Sequence, residues 1–169
     1  MPFDEVSLPK LQVRHPRADG SSGRRLDPVL DFMRLLWEIE HGLQTTSKRM
    51  RATRGITGPQ RLVLKVVSQH PGLSAKDVAS FVHLHPSTLT GIIQRLVAKR
   101  LLTKDRDPAD TRRMCLRATA RAASFVRQSP GTVEAAVDSV LSSVPSAHVQ
   151  TTRSVLTAVA GALSTNHSR

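Results

Sequence analysis

Apolar residues recur along the chain at the three- and four-residue spacing of amphipathic helices, in several separate stretches. The first stretch runs from Val29 to Leu43 and is apolar on more than one helical face. Asp27-Pro28 precedes it and is typical of a helix start, with an aspartate N-cap and a proline at the first helical position. A helix apolar over so much of its circumference is expected to be buried among other helices or in a subunit interface. Trp37 is predicted to be a core or dimer-interface residue, with a ligand platform as the alternative.

Two shorter helices are predicted next, each from a start signal followed by apolar residues. TGPQ at residues 57–60 and SAKD at residues 74–77 each place a hydroxyl side chain three residues before a polar side chain that can bond back, as in a capping box. Pro71-Gly72 ends the first of these helices, and the second runs to about Val82. HLHP at residues 83–86 then forms a tight connection into a further helix, which gives the outline of a helix-turn-helix.

The stretch HPSTLTGIIQRLVAKR, residues 85–100, predicts an amphipathic helix with an unusual polar face. The stripe expected to point into the core is Leu89, Ile92, Ile93, Leu96 and Val97. The opposite face carries Ser87, Thr88, Thr90, Gly91, Gln94 and Arg95. Short side chains let a helix approach a groove closely, and Gln and Arg can form paired hydrogen bonds with adenine and guanine edges. An ordinary solvated face is the alternative for this helix taken alone.

The segment LLTKDRDPADTRRMCLRAT, residues 101–119, predicts two short strands around a turn. Residues 101–103 and 114–116 have strand character, and residues 107–110 supply turn chemistry. The cationic side chains near the tip are Lys104, Arg106, Arg112 and Arg113. A hairpin directly after a candidate recognition helix is typical of a winged helix, in which tip arginines are attracted to the minor groove of DNA.

The C-terminal part predicts further helices with apolar stripes. The first stripe is Val133, Val137, Val140, Leu141 and Val144, and the second is Val149, Thr152, Leu156, Val159 and Leu163. Pro130-Gly131 is expected to bend or interrupt a helix that begins near Thr119, and Pro145 is expected to end the helix that carries the first stripe.

The charge of the chain narrows the class of partner. The 169 residues carry a formal net charge of +12, of which residues 53–121 supply thirteen basic and four acidic side chains. This local excess favours a polyanion, with nucleic acid ahead of an acidic membrane surface. No stretch is apolar enough to span a bilayer and the N-terminus has no apolar signal core, so we expect a cytoplasmic protein without a membrane partner.

Other chemistry finds little support in the sequence. No nucleophile triad, phosphate-binding glycine loop or acid pair is present, so we expect neither an enzyme nor a catalytic residue. His83 and His85 are expected to contact backbone or phosphate rather than a metal, and no metal site or cofactor is predicted. Cys115, the single cysteine, excludes an internal disulfide and is expected to be a small buried apolar group rather than a redox switch.

The chain resembles the MarR family of dimeric winged-helix transcription regulators over about residues 27–165. The residues that carry the resemblance are, in this order, TGPQ, HPSTLTGIIQRLVAKRLL and DPADTRR followed by Leu116 and Thr119. The resemblance implies a mainly α fold with a small β-hairpin wing: a winged helix-turn-helix plus a helical dimerisation region. Asp110 and Arg112 match the family's Asp-x-Arg, which implies that Asp110 pairs with arginine and braces the wing while Arg112 or a neighbour reaches the minor groove. Ala122 stands where the family often has glycine, and Thr119 is expected to cap the following helix.

The resulting division of the chain has three parts. Residues 1–25 are predicted to be a mobile arm, residues 26–52 and 119–165 a helical dimerisation region, and residues 53–118 the winged helix-turn-helix. The expected function is a homodimeric, sequence-specific repressor of a palindromic operator in double-stranded DNA. The resemblance also implies a small anionic or aromatic effector, although no residue identifies its ligand site.

The DNA-binding residues proposed from the sequence are Ser87, Thr88, Thr90, Gly91, Gln94, Arg95, Arg106, Asp110, Arg112 and Arg113. A non-specific architectural nucleic-acid-binding protein is the alternative function. RNA is disfavoured because aromatic residues make up 3% of the chain and tyrosine is absent, which leaves few side chains to stack on unpaired bases. A protein-interaction adaptor would leave the wing arginines unexplained.

Overall fold

The computed structural model describes residues 26–106, 110 and 112–165, the last by its backbone alone, and divides into two compact units, one up to Leu36 and one from Trp37 onward. The predicted arm over residues 1–25 and the turn residues 107–109 lie outside the described residues. In the first unit Asp27 is the N-cap of helix α1 (Pro28–Arg54), as predicted, because its carboxylate accepts a hydrogen bond of 2.9 Å from the Val29 N–H.

The second unit is mainly helical with one antiparallel hairpin, which confirms the predicted fold class. After α1 its elements are α2 (Gly58–Gln69), α3 (Ala75–Val82), α4 (Pro86–Ala98), β1 (Leu102–Arg106), β2 (Met114–Ala118), a 3-10 turn (Ala120–Ala122), α5 (Ala123–Val126), α6 (Val133–Leu141) and α7 (Ser146–Thr165). None of the helices traced here is long and apolar enough to cross a membrane.

Both predicted capping boxes are present and fix where α2 and α3 begin. Thr57 Oγ1 accepts from the Gln60 N–H, and Gln60 Oε1 accepts from the Thr57 N–H at 3.0 Å. Ser74 and Asp77 repeat this exchange at the start of α3, where the carboxylate accepts from the Ser74 N–H at 2.9 Å. The capping hydrogen bonds therefore satisfy N–H groups of both first turns locally, which fixes where each helix begins.

The core lies among α2, α3, α4 and the hairpin. Its members include Val63, Leu64, Val67, Val78, Leu89, Ile92, Ile93, Leu96, Leu101, Leu102 and Leu116. Four of the five stripe residues predicted for α4 are buried here. Val97 is 39% exposed, so its prediction as a core residue was wrong. It follows Leu96 by one position, which turns it about 100° away from the centre of the stripe.

The hairpin is held on both edges of β2. On one edge β1 pairs antiparallel with β2, from Leu102 opposite Ala118 to Arg106 opposite Met114. On the other edge the Leu116 N–H donates to Leu73 O at 2.8 Å, and the Gly72 N–H donates to Leu116 O at 3.0 Å. Strand β2 is therefore tied to the connection between α2 and α3, which attaches the predicted wing to the body of the winged helix.

The C-terminal helices follow the predicted breaks in part. The helix after the hairpin ends at Val126 and α6 begins only after the Thr132 N-cap, so Pro130-Gly131 does interrupt it. The prediction that Pro145 ends the next helix was wrong, because α6 already stops at Leu141. The carbonyl of Pro145 instead accepts from the His148 N–H at 3.0 Å in the first turn of α7, where proline's missing N–H costs nothing.

Thr119 also acts differently from the prediction. Its hydroxyl does not cap the 3-10 turn that follows but donates to Arg100 O at 2.8 Å. The carbonyl of Thr119 accepts from the Ala122 N–H at 2.9 Å, and the Ala122 methyl is buried. Thr119 therefore links the end of β2 to the turn that leads from α4 into β1.

A buried arginine connects α2 to the C-terminal helices. The side chain of Arg61 is 1% exposed, and its guanidinium donates to Glu134 Oε1, to Phe125 O and, at 2.7 Å, to Arg127 O. Lys65 Nζ contacts the same Glu134 oxygen at 3.3 Å. This network crosses the interruption between α5 and α6 and satisfies carbonyl groups that no helix turn reaches.

Candidate nucleic-acid interface

The polar face of α4 points away from the core, as the sequence predicted. Leu89, Ile92, Ile93 and Leu96 are buried on one side, whereas Ser87, Thr88, Thr90, Gln94 and Arg95 are exposed and Gly91 is half-buried. The packed side fixes the orientation of the helix. The exposed side is therefore a rigid surface of short and hydrogen-bonding side chains.

The N-terminal residues of this face bond within their own helix. His85 is the N-cap: its ring Nδ1 lies 2.8 Å from Ser87 Oγ and accepts from the Ser87 N–H at 3.4 Å. This backbone contact confirms the structural role expected for a histidine in this turn. Thr90 Oγ1 donates to Pro86 O at 2.9 Å, which holds its methyl group and hydroxyl in a fixed rotamer.

The other exposed residues of the face have no such partners. Within the described ranges the side chains of Thr88, Gln94 and Arg95 form no recorded hydrogen bond or ion pair. A Cβ atom built on Gly91 meets nothing within 4 Å, so the glycine is not required by contacts inside the chain. The amide of Gln94 and the guanidinium of Arg95 are available to an external hydrogen-bonding partner.

The predicted wing residues occupy the outer half of the hairpin. Arg106 ends β1 opposite Met114, and both Arg106 and Arg112 are exposed. The Asp110 carboxylate accepts from the backbone N–H of Arg112 at 3.0 Å, and Asp110 O accepts from the Arg113 N–H at 2.9 Å. These recorded bonds to Asp110 come from backbone groups, and they shape the turn that leads into β2.

Arg113 is anchored to the helix-turn-helix. Its Nη2 lies 2.5 Å from Asp77 Oδ2, the same carboxylate that caps α3. Hydrogen bonds from the Ser74 backbone and side chain, joined by the Arg113 guanidinium, hold the pKa of Asp77 below its usual value. The ion pair connects the tip end of the wing, just before β2, to the first turn of α3.

Sequence reasoning missed two residues of this arrangement. Asp77 was assigned only to the capping box, although a carboxylate with two oxygens has lone pairs to spare for an arginine. Arg61 was counted with the basic surface but is buried, and its helical position between the core residues Val63 and Leu64 and the cap at Gln60 was the available signal. Neither pairing is local in sequence, so spacing alone did not reveal it.

A separate cavity of about 630 Å³ lies between α1, α2 and α6. Its walls are mostly apolar, with Leu43, Leu62 and Val137 among them, and Lys48 and Lys65 are its cationic side chains. Glu134 also lines it, beside Lys65. Burial raises the pKa of the Glu134 carboxyl, but its own backbone N–H, Arg61 and Lys65 outweigh this and lower the pKa overall.

The other residues considered as candidate functional sites from the sequence are Cys115, Trp37 and potential metal ligands. Cys115 is 2% exposed in β2, which confirms a buried cysteine. Trp37 is 60% exposed, so the prediction of a core position in this chain was wrong and the subunit-interface alternative stays a prediction. Among the residues whose placement is described, no three His, Cys, Asp or Glu side chains cluster as metal ligands would.

Comparison with known proteins shows which family the helix-turn-helix and wing are similar to. Residues 54–113 match the profile of the MarR family. The HTH-type transcriptional regulator TtmR of Methylorubrum extorquens is 33% identical over 91 residues, which are 54% of this chain and 46% of that protein. A protein linked by its name to the hcr operon of Thauera aromatica is 30% identical over 73 residues. The chain spans less than half the length of these curated relatives.

Solved structures share the fold over most of this chain. The PcaV transcriptional regulator from Streptomyces coelicolor, solved with its natural ligand, superimposes with a TM-score of 0.66 at 25% identity, over 82% of this chain and 98% of that one. S. aureus MepR, solved with DNA, superimposes with a TM-score of 0.64 at 20% identity, over 78% and 97%. The helix-turn-helix and wing of this chain, residues 54–113, thus match the MarR family, and the chain shares the winged-helix fold of these solved structures.

Proposed function

We propose that this protein is a transcription regulator that binds specific sequences of double-stranded DNA. The main observation behind this proposal is the exposed face of α4. The buried stripe of α4 fixes the orientation of the helix, and the side chains of Gln94 and Arg95 have no partner in the described chain. Helices of this kind enter the major groove, where Gln pairs with adenine and Arg with guanine. Ser87, Thr88, Thr90 and Gly91 add little bulk, so the helix backbone can approach the base edges.

The wing supplies the second contact in this proposal. Arg106 and Arg112 are exposed at the outer part of the hairpin and are assigned to the minor groove and the phosphate backbone. Arg113 is assigned to anchoring, since it pairs with Asp77, and Asp110 shapes the turn through the Arg112 N–H. The wing then contributes affinity and orientation, whereas α4 contributes most of the sequence preference.

A homodimer acting on a palindromic operator, most simply as a repressor, completes the proposal. Residues 26–52 and 119–165 are assigned to dimerisation and residues 53–118 to DNA binding. Two-fold symmetry would place the two α4 helices about one turn of DNA apart. The regulator names of the relatives and the DNA-bound form of MepR support the regulatory and DNA-binding parts of this proposal. With DNA as the partner, the proposed location is the cytoplasm.

A small organic anion is proposed as the effector, bound in the cavity between α1, α2 and α6. Its apolar walls suit an aromatic ring, and Lys48 and Lys65 suit a carboxylate. The same cavity touches Glu134, which bonds Arg61 and Lys65. An anion that draws Lys65 away from Glu134 would loosen the link between α2 and α6. This would alter the distance between the two α4 helices of the proposed dimer.

Selection from random duplex DNA at physiological salt tests the DNA-binding proposal. We expect enrichment of a palindrome whose half-sites are about one helical turn apart. A variant with Gln94→Ala and Arg95→Ala should lose this enrichment while keeping weak, salt-sensitive binding. Recovery of no preferred sequence by the natural protein would support the architectural alternative instead.

Titration of the protein–DNA complex with benzoate, the simplest aromatic carboxylate, tests the effector proposal. We expect release of DNA at millimolar benzoate and a several-fold weaker response after Lys48→Gln, with Lys76→Gln, outside the cavity, as the control. An equal response in both variants would show that benzoate does not act through the cavity. Stable complexes with benzoate and substituted benzoates alike would favour a regulator without an aromatic effector.

A further inference from the structure

A second concave site, with only cationic charge, lies beyond the C-terminal end of α4. Its volume is about 410 Å³, and its walls come from the end of α1, the turn between α4 and β1, and the segment of the 3-10 turn and α5. The cationic side chains that line it are Arg54, Lys99, Arg100 and Arg121. None of its lining residues, all within the described chain, is an aspartate or glutamate. Four cations around one depression without a counter-charge repel one another unless an anion is bound.

One of the four arginine and lysine side chains is already fixed in place. Arg54 is half-buried, and its Nη2 donates to Pro130 O at 2.9 Å. This bond uses one of the five N–H groups of the guanidinium and leaves the others for a ligand. The glycine that follows, Gly55, has a φ of +73° and turns the chain out of α1 beside the site. Arg54 is therefore preorganised and would lose little side-chain freedom on binding.

Arg100 occupies a backbone position that glycine would favour. Helix α4 ends in a Schellman motif, in which the Leu101 N–H donates to Leu96 O at 2.9 Å and the Arg100 N–H donates to Val97 O at 2.8 Å. The residue after the cap in this motif is left-handed, and Arg100 has a φ of +56°. An L-residue other than glycine is strained there, so the arginine side chain is retained at a cost to the fold.

We propose that this pocket binds a small phosphate-bearing anion, such as a polyphosphate or a phosphate ester. Arginine forks match the oxygens of a phosphate, and the volume is that of a small-molecule site. The pocket is concave and lies past the C-terminus of α4, beyond Arg95, the last residue of the proposed DNA face on this helix. The inference therefore stands apart from the proposed function and adds a second ligand.

Calorimetric titration with inorganic pyrophosphate, at physiological salt and on the full chain, tests the proposal. The pocket variant combines Arg100→Gly, which removes a cation and relieves the left-handed strain, with Arg121→Gln. The matched control combines Arg49→Gln with Arg51→Gln, which removes the same charge from exposed positions of α1 outside the pocket. We expect the natural protein and the control to bind pyrophosphate alike and the pocket variant to bind at least about tenfold more weakly.

Three outcomes would overturn this assignment. Absence of pyrophosphate binding to the natural protein would show that the pocket is not an anion site. Equal weakening in the pocket variant and in the control would show attraction to net charge alone. Loss of DNA affinity in the pocket variant, with no effect of pyrophosphate on the natural protein, would make these arginines contacts to the DNA backbone. Circular dichroism of both variants, expected to match the natural protein, excludes misfolding as the cause of any change.

Discussion

Gln94 and Arg112 are two exposed side chains of the proposed interface that should act on DNA in different ways. Gln94→Ala removes a donor and acceptor pair from α4, so we expect a loss of about 1 to 3 kcal/mol of discrimination at one or two base positions. Arg112→Ala removes a charge from the wing and should weaken all sequences alike while reducing the salt slope by about one. Binding to single-base operator variants over a salt series measures both, and an unchanged base preference for Gln94→Ala would remove that residue from readout.

The ion pair between Asp77 and Arg113 should act on DNA binding through the position of the wing. We expect Arg113→Gln to weaken DNA binding, and Asp77→Asn to weaken it too although it removes a negative charge near DNA. Because both variants break the same link, the double variant should be no worse than about the stronger single one. Additive losses would instead assign Arg113 to direct DNA contact. Helicity of α3 in Asp77→Asn, measured by circular dichroism, controls for the capping box.

Prediction from sequence succeeded at the residue scale where partners are local. The two capping boxes and the solvent-facing side of α4 follow from spacing within one or two helical turns. Asp77 with Arg113 and Arg61 with Glu134 join residues 36 and 73 positions apart. Such pairs depend on how elements pack, so a single sequence does not reveal them.

At the scale of elements, the junction between α2 and α6 depends on one buried cation. Arg61 is satisfied by a carboxylate and two carbonyl groups from the interrupted segment after α5. Burying a charge is tolerated only with such partners. The interruption that Pro130-Gly131 imposes is thus the feature that exposes carbonyl groups for Arg61 to bond.

Glu134 should make this junction sensitive to acid. Its folded pKa is lowered from the ordinary value of 4.5, so its stabilisation is fully present above pH 4.5 and is lost as the pH falls through the lower folded value. Glu134→Gln should cost about 1.5 to 3 kcal/mol at pH 7, because a charged hydrogen bond to Arg61 is lost. Urea unfolding at several pH values measures this, and the two proteins should converge well below pH 4.5. A constant difference across that range would assign the effect to packing.

The elements themselves were predictable in number and order, but their ends were less so. The stop of α6 at Leu141 was missed because no glycine or proline marks it, and Pro145 drew attention as the nearest breaker. Thr119 was read as a cap from its place before a helix, whereas the turn at Arg100 brings a carbonyl group within reach of its hydroxyl. Tertiary neighbours decide such ends, and propensity does not.

At the scale of the whole molecule, the C-terminal helices of the second unit leave much apolar surface uncovered. Exposed apolar side chains of this part include Val137, Val140, Leu141, Val155, Leu156 and Leu163. Patches of this kind mark protein–protein contacts, which agrees with the homodimer proposed above. The sequence indicated these stripes by their periodicity, but it does not say which partner covers them.

Leu163→Asp should weaken the proposed dimer, since Leu163 is 62% exposed and its loss removes few contacts within the chain. Sedimentation velocity at micromolar protein is expected to show dimers for the natural protein and a shift towards monomer for the variant. Ser154→Asp is the control, because it adds the same charge on the opposite face of α7. Equal sedimentation of the variant and the natural protein would exclude this part of α7 from the interface.

At Gly91, substitutions that should stabilise the fold should also weaken the proposed DNA binding. A methyl group at this position meets nothing in the chain, and alanine favours an α-helix over glycine by about 1 kcal/mol. A screen for heat resistance alone would therefore select Gly91→Ala, and larger helix-forming residues at the same place. Each of these would thicken the surface that enters the groove. At Gly91 a substitution that should raise thermostability is thus one that should be poorly compatible with tight DNA binding.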